Sequence, residues 1–160
     1  MSNTLSAQDL RPDRDDLAQE TVNAFKGAVE ESEVRRFLKE ASTGPAPAIN
    51  AKASLTLFIK GELTCEPLED AWRQWKWDHT VWGGPACEVK SVAGFMYTAY
   101  GSWDTFFREV TGAQVTGGAL HAGVLQINFL KGLLPIGQFN GMAVGDCAAI
   151  AGGDGAWERK

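Results

Sequence analysis

The sequence predicts a mainly β fold: a closed eight-stranded antiparallel β-barrel preceded by an N-terminal α-helical arm. One observation is the stretch from Gly117 to Trp157, which holds ten glycines with apolar residues at every second position between them. That period is typical of strands with one buried face. So many glycines suit strands that bend sharply or sheet faces that approach closely. A second observation is the proline pair in Gly44-Pro45-Ala46-Pro47, which separates a helical pattern from β-rich sequence.

Before the prolines, the periodicity is helical. Leu17, Thr21, Phe25 and Val29 recur at helical spacing, and a second set continues after a change of phase. This pattern fits either one bent helix or two shorter helices. Asp13 is a candidate N-cap, followed by acids that suit the first turn of a helix. The chain is therefore divided into four parts: a disordered tail at 1–12, one or two helices at 13–43, a linker at 44–52 and a β-barrel domain at 53–160.

After the prolines, short runs rich in β-branched and aromatic residues favour strands. In the first run, one strand face is expected to carry Leu55, Leu57 and Ile59, and the other to carry Ser54, Thr56, Phe58 and Lys60. A tight turn or bulge is expected at Lys60-Gly61-Glu62. Later strands are predicted at 103–110, 113–117, 120–130, 134–140 and 141–151. With the strands before Gly101, these make about eight, a number that closes a barrel filled by its own side chains.

Composition limits the function. The formal net charge of −5 disfavours a nucleic-acid partner, since phosphate binding needs a basic surface. No apolar run is long enough for a transmembrane segment, and the N-terminus lacks a secretory signal. The chain is therefore expected to be cytoplasmic, exported by a non-classical route, or trimmed of its signal. Three widely spaced cysteines favour buried thiols over a disulfide framework, and no metal site or cofactor is predicted.

Aromatic residues supply the candidate binding surface. Four of the six tryptophans lie within eleven residues: Trp72, Trp75, Trp77 and Trp82. Exposed indoles could stack on sugar rings or lie at a membrane interface, because indole combines an apolar body with a polar N–H. Alternatively, they pack in the barrel, since tryptophan is mostly buried. His79 joins this surface as a candidate. Asp78 could orient it for base catalysis only outside a strand, because neighbouring strand residues point to opposite faces.

The C-terminal third resembles a known family. The strand Val124–Leu130, the run from Gly137 to Trp157 and its GGDGAW ending resemble the end of the virulence-associated (Vap) proteins of actinobacterial intracellular pathogens. The opening SLTLFIKGEL is similar to that family's first barrel strand. The resemblance implies a compact barrel with no ligand cavity and no established active site. Its glycines and tryptophan are then structural, in turns and barrel closure: Gly117, Gly118, Gly152, Gly153, Gly155 and Trp157.

Together these features predict a non-enzymatic, Vap-like effector or toxin-type protein that acts through its surface on an unknown host protein or membrane. The helical arm would serve delivery or docking. The alternative is a lipocalin-like carrier, with the tryptophans around a pocket for a small apolar ligand. Asp104 or Glu109 could serve His79 in place of Asp78, but nothing local places them beside it, and His121 is expected to end a strand near water. The glycine-rich segments match neither nucleotide-binding fingerprint. The sequence therefore predicts no catalytic residue.

Overall fold

A computed structural model describes residues 6–116, 123–142 and 149–160 of the chain. Within them, helices and strands follow one another in this order: α1 Asp15–Ala24, α2 Glu31–Thr43, β1 Ile49–Pro67, β2 Trp75–Thr98, α3 Trp103–Glu109, β3 Gly112–Thr116, β4 Val124–Lys131, β5 Leu134–Met142, β6 Ile150–Asp154 and β7 Glu158–Arg159. The protein is thus mainly β with N-terminal helices, as predicted. All strand pairs are antiparallel.

The strands form a ring of hydrogen-bonded pairs. Going around it, β2 pairs with β5, β5 with β4, β4 with β3, β3 with β6, and β6 again with β2, while β1 runs along β2. The described residues contain seven strands, where the sequence predicts eight. The difference arises because β1 and β2 are very long, with 19 and 24 residues.

The long strand β1 folds back on itself. The Asn50 carbonyl accepts a hydrogen bond from the Leu68 N–H at 2.8 Å, and Lys52 lies 3.6 Å from Glu66, so the two halves lie side by side. Between the halves the register with β2 shifts, and Ile59 has a φ of 67°. The predicted turn is therefore present, but it turns at Ile59. This isoleucine is exposed rather than facing the interior with Leu57.

Close strand contacts explain several of the glycines. A Cβ on Gly94 would lie 2.2 Å from the Asn140 carbonyl oxygen, and one on Gly153 would lie 2.4 Å from that of Thr80. Neither distance is possible for real atoms, so only glycine allows these approaches. Gly152 and Gly153 lie within β6 rather than in a turn, and Gly117 and Gly118 fall outside the described residues.

Short segments differ from the sequence prediction in type and bounds. Where a strand is predicted at 103–110, the structure has helix α3 at Trp103–Glu109. The Ser102 hydroxyl caps it by accepting from the Thr105 N–H at 3.2 Å. Its buried side chains, Trp103, Phe106 and Phe107, are spaced at helical intervals. The predicted strand 141–151 is also wrong in its bounds, because β5 extends to Met142 and β6 begins at Ile150.

The N-terminal segment forms two helices, which decides between the two alternatives. Gly27, with a φ of 87°, lies between α1 and α2. Asp15 and Asp16 occupy the first turn of α1 as predicted, but Asp13 does not cap it. The Asp13 carboxylate is held instead by the Arg11 guanidinium.

Residues 6–12 of the predicted tail pack against the strands. Leu10 is buried, and the Tyr97 hydroxyl donates a hydrogen bond to the Ala7 carbonyl. Burial, followed by the nearby Asp9 carboxylate, raises the pKa of Tyr97, which keeps this hydroxyl a donor. The strand region itself begins at Ile49, inside the predicted linker.

A row of buried amides joins the helical arm to the sheet. Gln126, Asn128, Gln138 and Asn140 project from the outer side of β4 and β5 and are all fully buried under the arm. They bond to one another at 2.7–3.3 Å. They also bond to α1: the Thr21 hydroxyl contacts both Gln126 and Gln138 at 3.0 Å. This amide ladder therefore fixes the arm on the strands through specific polar contacts.

Candidate binding surface

The tryptophan-rich segment divides between the core and the surface. Trp75 and Trp77 are buried, Trp72 is half-buried in the β1–β2 turn, and Trp82 is exposed. Trp75 stacks on Phe107 with ring centroids 5.3 Å apart. Packing in the core, the alternative that the sequence left open, thus accounts for Trp75 and Trp77. Of the four indoles, only that of Trp82 is largely exposed.

An aromatic cluster surrounds Trp77 at the end of the ring that α3 covers. The centroid of the Trp77 ring lies 5.4 Å from that of Phe129 and 5.9 Å from that of Trp157. Phe107 in turn lies 4.9 Å from Trp157. Trp157, placed by the sequence among the closure residues, is buried and connects the C-terminal segment to this core.

His79 holds the C-terminal segment in place. Its Nε2 lies 2.6 Å from the Ala156 carbonyl oxygen, and its ring packs edge-on against Trp77 at 4.7 Å. A Cβ on Gly155 would lie 2.5 Å from the same ring. Asp78 is exposed on the opposite side of the strand, as expected for consecutive residues of β2. The structure therefore does not bring Asp78 and His79 together as a catalytic pair.

Large apolar side chains gather where β1 and β2 bend. We call this surface the apolar rim and define it as Phe58, Ile59, Trp82 and Ile150, which are 75%, 70%, 57% and 55% exposed. Strand register brings their backbones near one another: Ile59 is opposite Gly83, and Ile150 is opposite Gly84, both next to Trp82. The Lys60 ammonium lies 5.4 Å from the centroid of the Trp82 ring. The rim is thus a group of four exposed apolar side chains at neighbouring backbone positions, with one nearby cation.

Sequence reasoning placed only Trp82 on this surface. A signal for Phe58 and Ile59 existed in Leu57-Phe58-Ile59, three consecutive apolar residues in a strand that otherwise alternates. Alternation cannot bury all three, so at least one must face solvent. Ile150 gave no such signal, because its exposure depends on pairing with the distant residue Gly84.

The Ile59 backbone is strained, and burial of its side chain does not offset the energetic cost. A φ of 67° is unfavourable for a β-branched residue, and the side chain is mostly exposed. Such conformations are found at functional sites more often than elsewhere. Ile59→Gly is therefore expected to raise the free energy of unfolding by roughly 1 kcal/mol, because glycine adopts this φ without strain. Urea denaturation measures the change, and Phe58→Gly, next to it, should not stabilise the protein.

Beside the rim, a groove of about 730 Å³ runs between the outer face of β2, β6 and β3 and the end of α1. Trp82, Thr80 and Asp154 line the strand side, and Phe25 lines the helix side. Gln114 connects the two sides by donating from Nε2 to the Ala24 carbonyl at 3.1 Å. The groove therefore exists only while the arm is docked.

Other candidate groups lie elsewhere or form surface pairs. Asp104 pairs with Arg108 at 3.3 Å, and Glu109 pairs with Lys131 at 3.1 Å. His121 falls outside the described residues. In the part of the chain that the structure describes, no group of three or more His, Cys, Asp or Glu residues could hold a metal ion. No helix among the same residues is both long and apolar enough to cross a bilayer.

The cysteines correct one expectation. Cys87 is disulfide-bonded, whereas the sequence favoured buried thiols. Cys65 follows the expectation: it is a free and fully buried thiol. Burial, with a smaller contribution from Glu66, raises the pKa of the Cys65 thiol, which keeps it protonated and unreactive.

Comparison with known proteins gives structural matches alone. Neither a protein-family model nor a curated protein matches the sequence. The virulence-associated protein VapD from the intracellular pathogen Rhodococcus equi matches with a TM-score of 0.61 and 16% identity, over 70% of this chain and 97% of VapD. The virulence-associated protein VapB from Rhodococcus equi matches with a TM-score of 0.55 and 15% identity, over 71% of this chain and 98% of VapB.

The matches cover the Vap proteins more completely than they cover this chain. Nearly the whole of each Vap protein is covered, while about three-tenths of this chain lies outside the match. The resemblance predicted from the C-terminal strands is thus confirmed in the architecture, and the chain has the fold of the virulence-associated proteins.

Proposed function

We propose that the protein is a non-enzymatic, Vap-like effector or toxin-type protein that acts by docking its surface on a host component, with a membrane surface as the first candidate. The observation that carries the proposal is the apolar rim. Four large apolar side chains exposed at neighbouring backbone positions are costly in water unless they meet a partner. Trp82 with Lys60 beside it suits a membrane interface, where indole and ammonium groups both reside.

A closed barrel is part of this proposal. If each half of β1 and of β2 counts as one strand, the ring contains eight strands without an open edge: the side-by-side halves of β1 join β2 on both sides. Such a ring presents only its surface to partners. Its described interior is filled by large buried side chains, among them Leu55, Leu63, Met96 and Phe139. These side chains favour a filled barrel over the lipocalin-like carrier.

Vesicle binding tests the rim. We expect the protein to co-sediment with phosphatidylcholine–phosphatidylserine vesicles, and Phe58→Ser with Trp82→Ser to reduce the bound fraction at least fivefold. The matched control is Leu68→Ser with Leu134→Ser, which removes two exposed apolar residues outside the rim and should leave binding unchanged. Equal losses in both variants, or no binding at all, would contradict a membrane role for the rim.

The net charge of the protein should make its binding to anionic vesicles depend on pH. At a formal net charge of −5 the protein is repelled by anionic lipid at neutral pH, and the repulsion weakens towards the pI near 5.0. Binding to the anionic vesicles should therefore strengthen as the pH falls from 7 to 5, whereas binding to pure phosphatidylcholine should change little.

The non-enzymatic part of the proposal rests on the separation of Asp78 from His79 and on the structural role of His79. A hydrolase or transferase activity that His79→Gln abolishes in a folded protein would overturn it.

A further inference from the structure

The groove between α1 and the strands has a glycine, Gly152, in its floor between Trp82 and Gln114. Register places Trp82 opposite Gly152 and Gln114 opposite the same Gly152. Directly opposite residues of antiparallel strands project to one face, so the three form a row on the outer side of the sheet. With adjacent strands about 4.8 Å apart, the glycine leaves a gap roughly 10 Å wide between the backbones that carry the indole and the amide.

Packing does not require glycine at this position. A Cβ on Gly152 would meet only the Ala113 carbonyl oxygen, at 3.3 Å. By contrast, a Cβ on Gly83 would lie 2.1 Å from the Ile150 carbonyl oxygen, a contact that no side chain tolerates. The φ of Gly152 is also not in the left-handed region. What glycine provides at position 152 is open space beside the exposed indole.

Hydrogen-bond acceptors dominate the polar part of the groove. Asp154 is exposed and lines the groove together with Thr80. The Gln114 Oε1 is buried and has no hydrogen-bond partner among the described residues, while the Nε2 of the same amide donates to the Ala24 carbonyl. Among the described residues that line the groove there is no lysine or arginine, and the nearby Lys60 ammonium lies over the Trp82 ring, 5.4 Å from its centroid. This set disfavours phosphate and carboxylate ligands and favours a ligand rich in donors.

We infer that the groove is a binding site for a neutral saccharide. A sugar ring has an apolar face of C–H groups that can stack on the Trp82 indole and rest on the flat backbone at Gly152. Its hydroxyls donate to the Asp154 carboxylate and accept from or donate to Thr80. The volume of about 730 Å³ lies in the usual range for small-ligand sites and suits a short oligosaccharide.

The saccharide groove and the apolar rim proposed to bind membranes are distinct surfaces, although Trp82 belongs to both. Phe58 and Ile59 belong to the rim alone, whereas Gly152 and Asp154 line the groove and are not part of the rim. Variants at these positions therefore separate the two functions, and either can fail without the other.

Saturation-transfer NMR with maltohexaose, cellohexaose and chitohexaose tests the site in the full chain. We expect transfer to the ring C–H protons of at least one of them. Gly152→Val, which fills the floor with a residue that strands favour, should weaken binding at least tenfold, as should Trp82→Ala. Phe58→Ser, outside the groove, should leave the Kd within twofold.

Asp154→Asn, an isosteric change at an exposed residue, keeps the test valid if Gly152→Val does not fold, and should weaken binding severalfold. The inference is overturned if none of the three oligosaccharides receives transfer at millimolar concentration. It is equally overturned if binding is unchanged in every groove variant that folds, or if tetramethylammonium binds the groove while the saccharides do not.

Discussion

Trp77→Ala is expected to lower the free energy of unfolding by about 3–5 kcal/mol, the largest effect of any single substitution considered. Trp77 is 1% exposed and lies at the centre of the aromatic cluster, with Phe129, Trp157 and His79 around it. Alanine leaves a cavity among rings that cannot collapse into it, because β2, β4 and the C-terminal segment hold them apart. Urea denaturation followed by far-UV circular dichroism measures the loss.

Two control variants show whether packing is the cause. Trp82→Ala removes an equally large side chain from an exposed position and should change the stability by less than about 1 kcal/mol. Trp77→Phe should cost much less than Trp77→Ala, since the Trp77 indole N–H has no hydrogen-bond partner within the described residues that phenylalanine would forfeit. A loss for Trp82→Ala equal to that for Trp77→Ala would mean that the aromatic core is wrongly placed.

Reduction of the Cys87 disulfide is expected to lower the stability by about 2–5 kcal/mol, since removing such a bond restores freedom to the unfolded chain. For a chain of this length the change corresponds to roughly 10 °C in Tm. Thermal denaturation with and without dithiothreitol measures it. Cys87→Ala should lower the Tm by a similar amount and abolish its dependence on reductant.

Cys65→Ala is the matched control for redox dependence. It removes a thiol that is free and fully buried, so the Tm should still fall on reduction. In the denatured, unreduced protein, thiol titration should find one reactive group among the three cysteines. Three reactive thiols before reduction would contradict the bond.

Local periodicity was enough to predict much of the architecture. The spacing of Leu17, Thr21 and Phe25 predicted the first helix, and alternation at Leu125, Ile127 and Phe129 predicted β4. Local pattern failed at α3, where an aromatic-rich segment of seven residues favours strands by composition, although Ser102 and the spacing of its rings specify a helix.

The candidate sites depend on pairings that sequence alone does not contain. The groove exists because Trp82 lies opposite Gly152, two residues 70 positions apart, and because Gln114 pairs with the same glycine. The rim exists because Ile59 turns the chain and Ile150 lies beside that turn. Such contacts between distant positions follow from the register of the whole ring, which local periodicity does not determine.

The amide ladder has a consequence for how the arm can move. A helix packed on a purely apolar surface can shift by one turn at little cost, but α1 is hydrogen-bonded through Thr21 to the carboxamides of Gln126 and Gln138. A one-turn shift would leave both carboxamides without these bonds, each at a penalty of about 1–3 kcal/mol. The arm is therefore expected to have two states, either docked on the strands in this single register or fully released. The saccharide groove would be present only in the docked state.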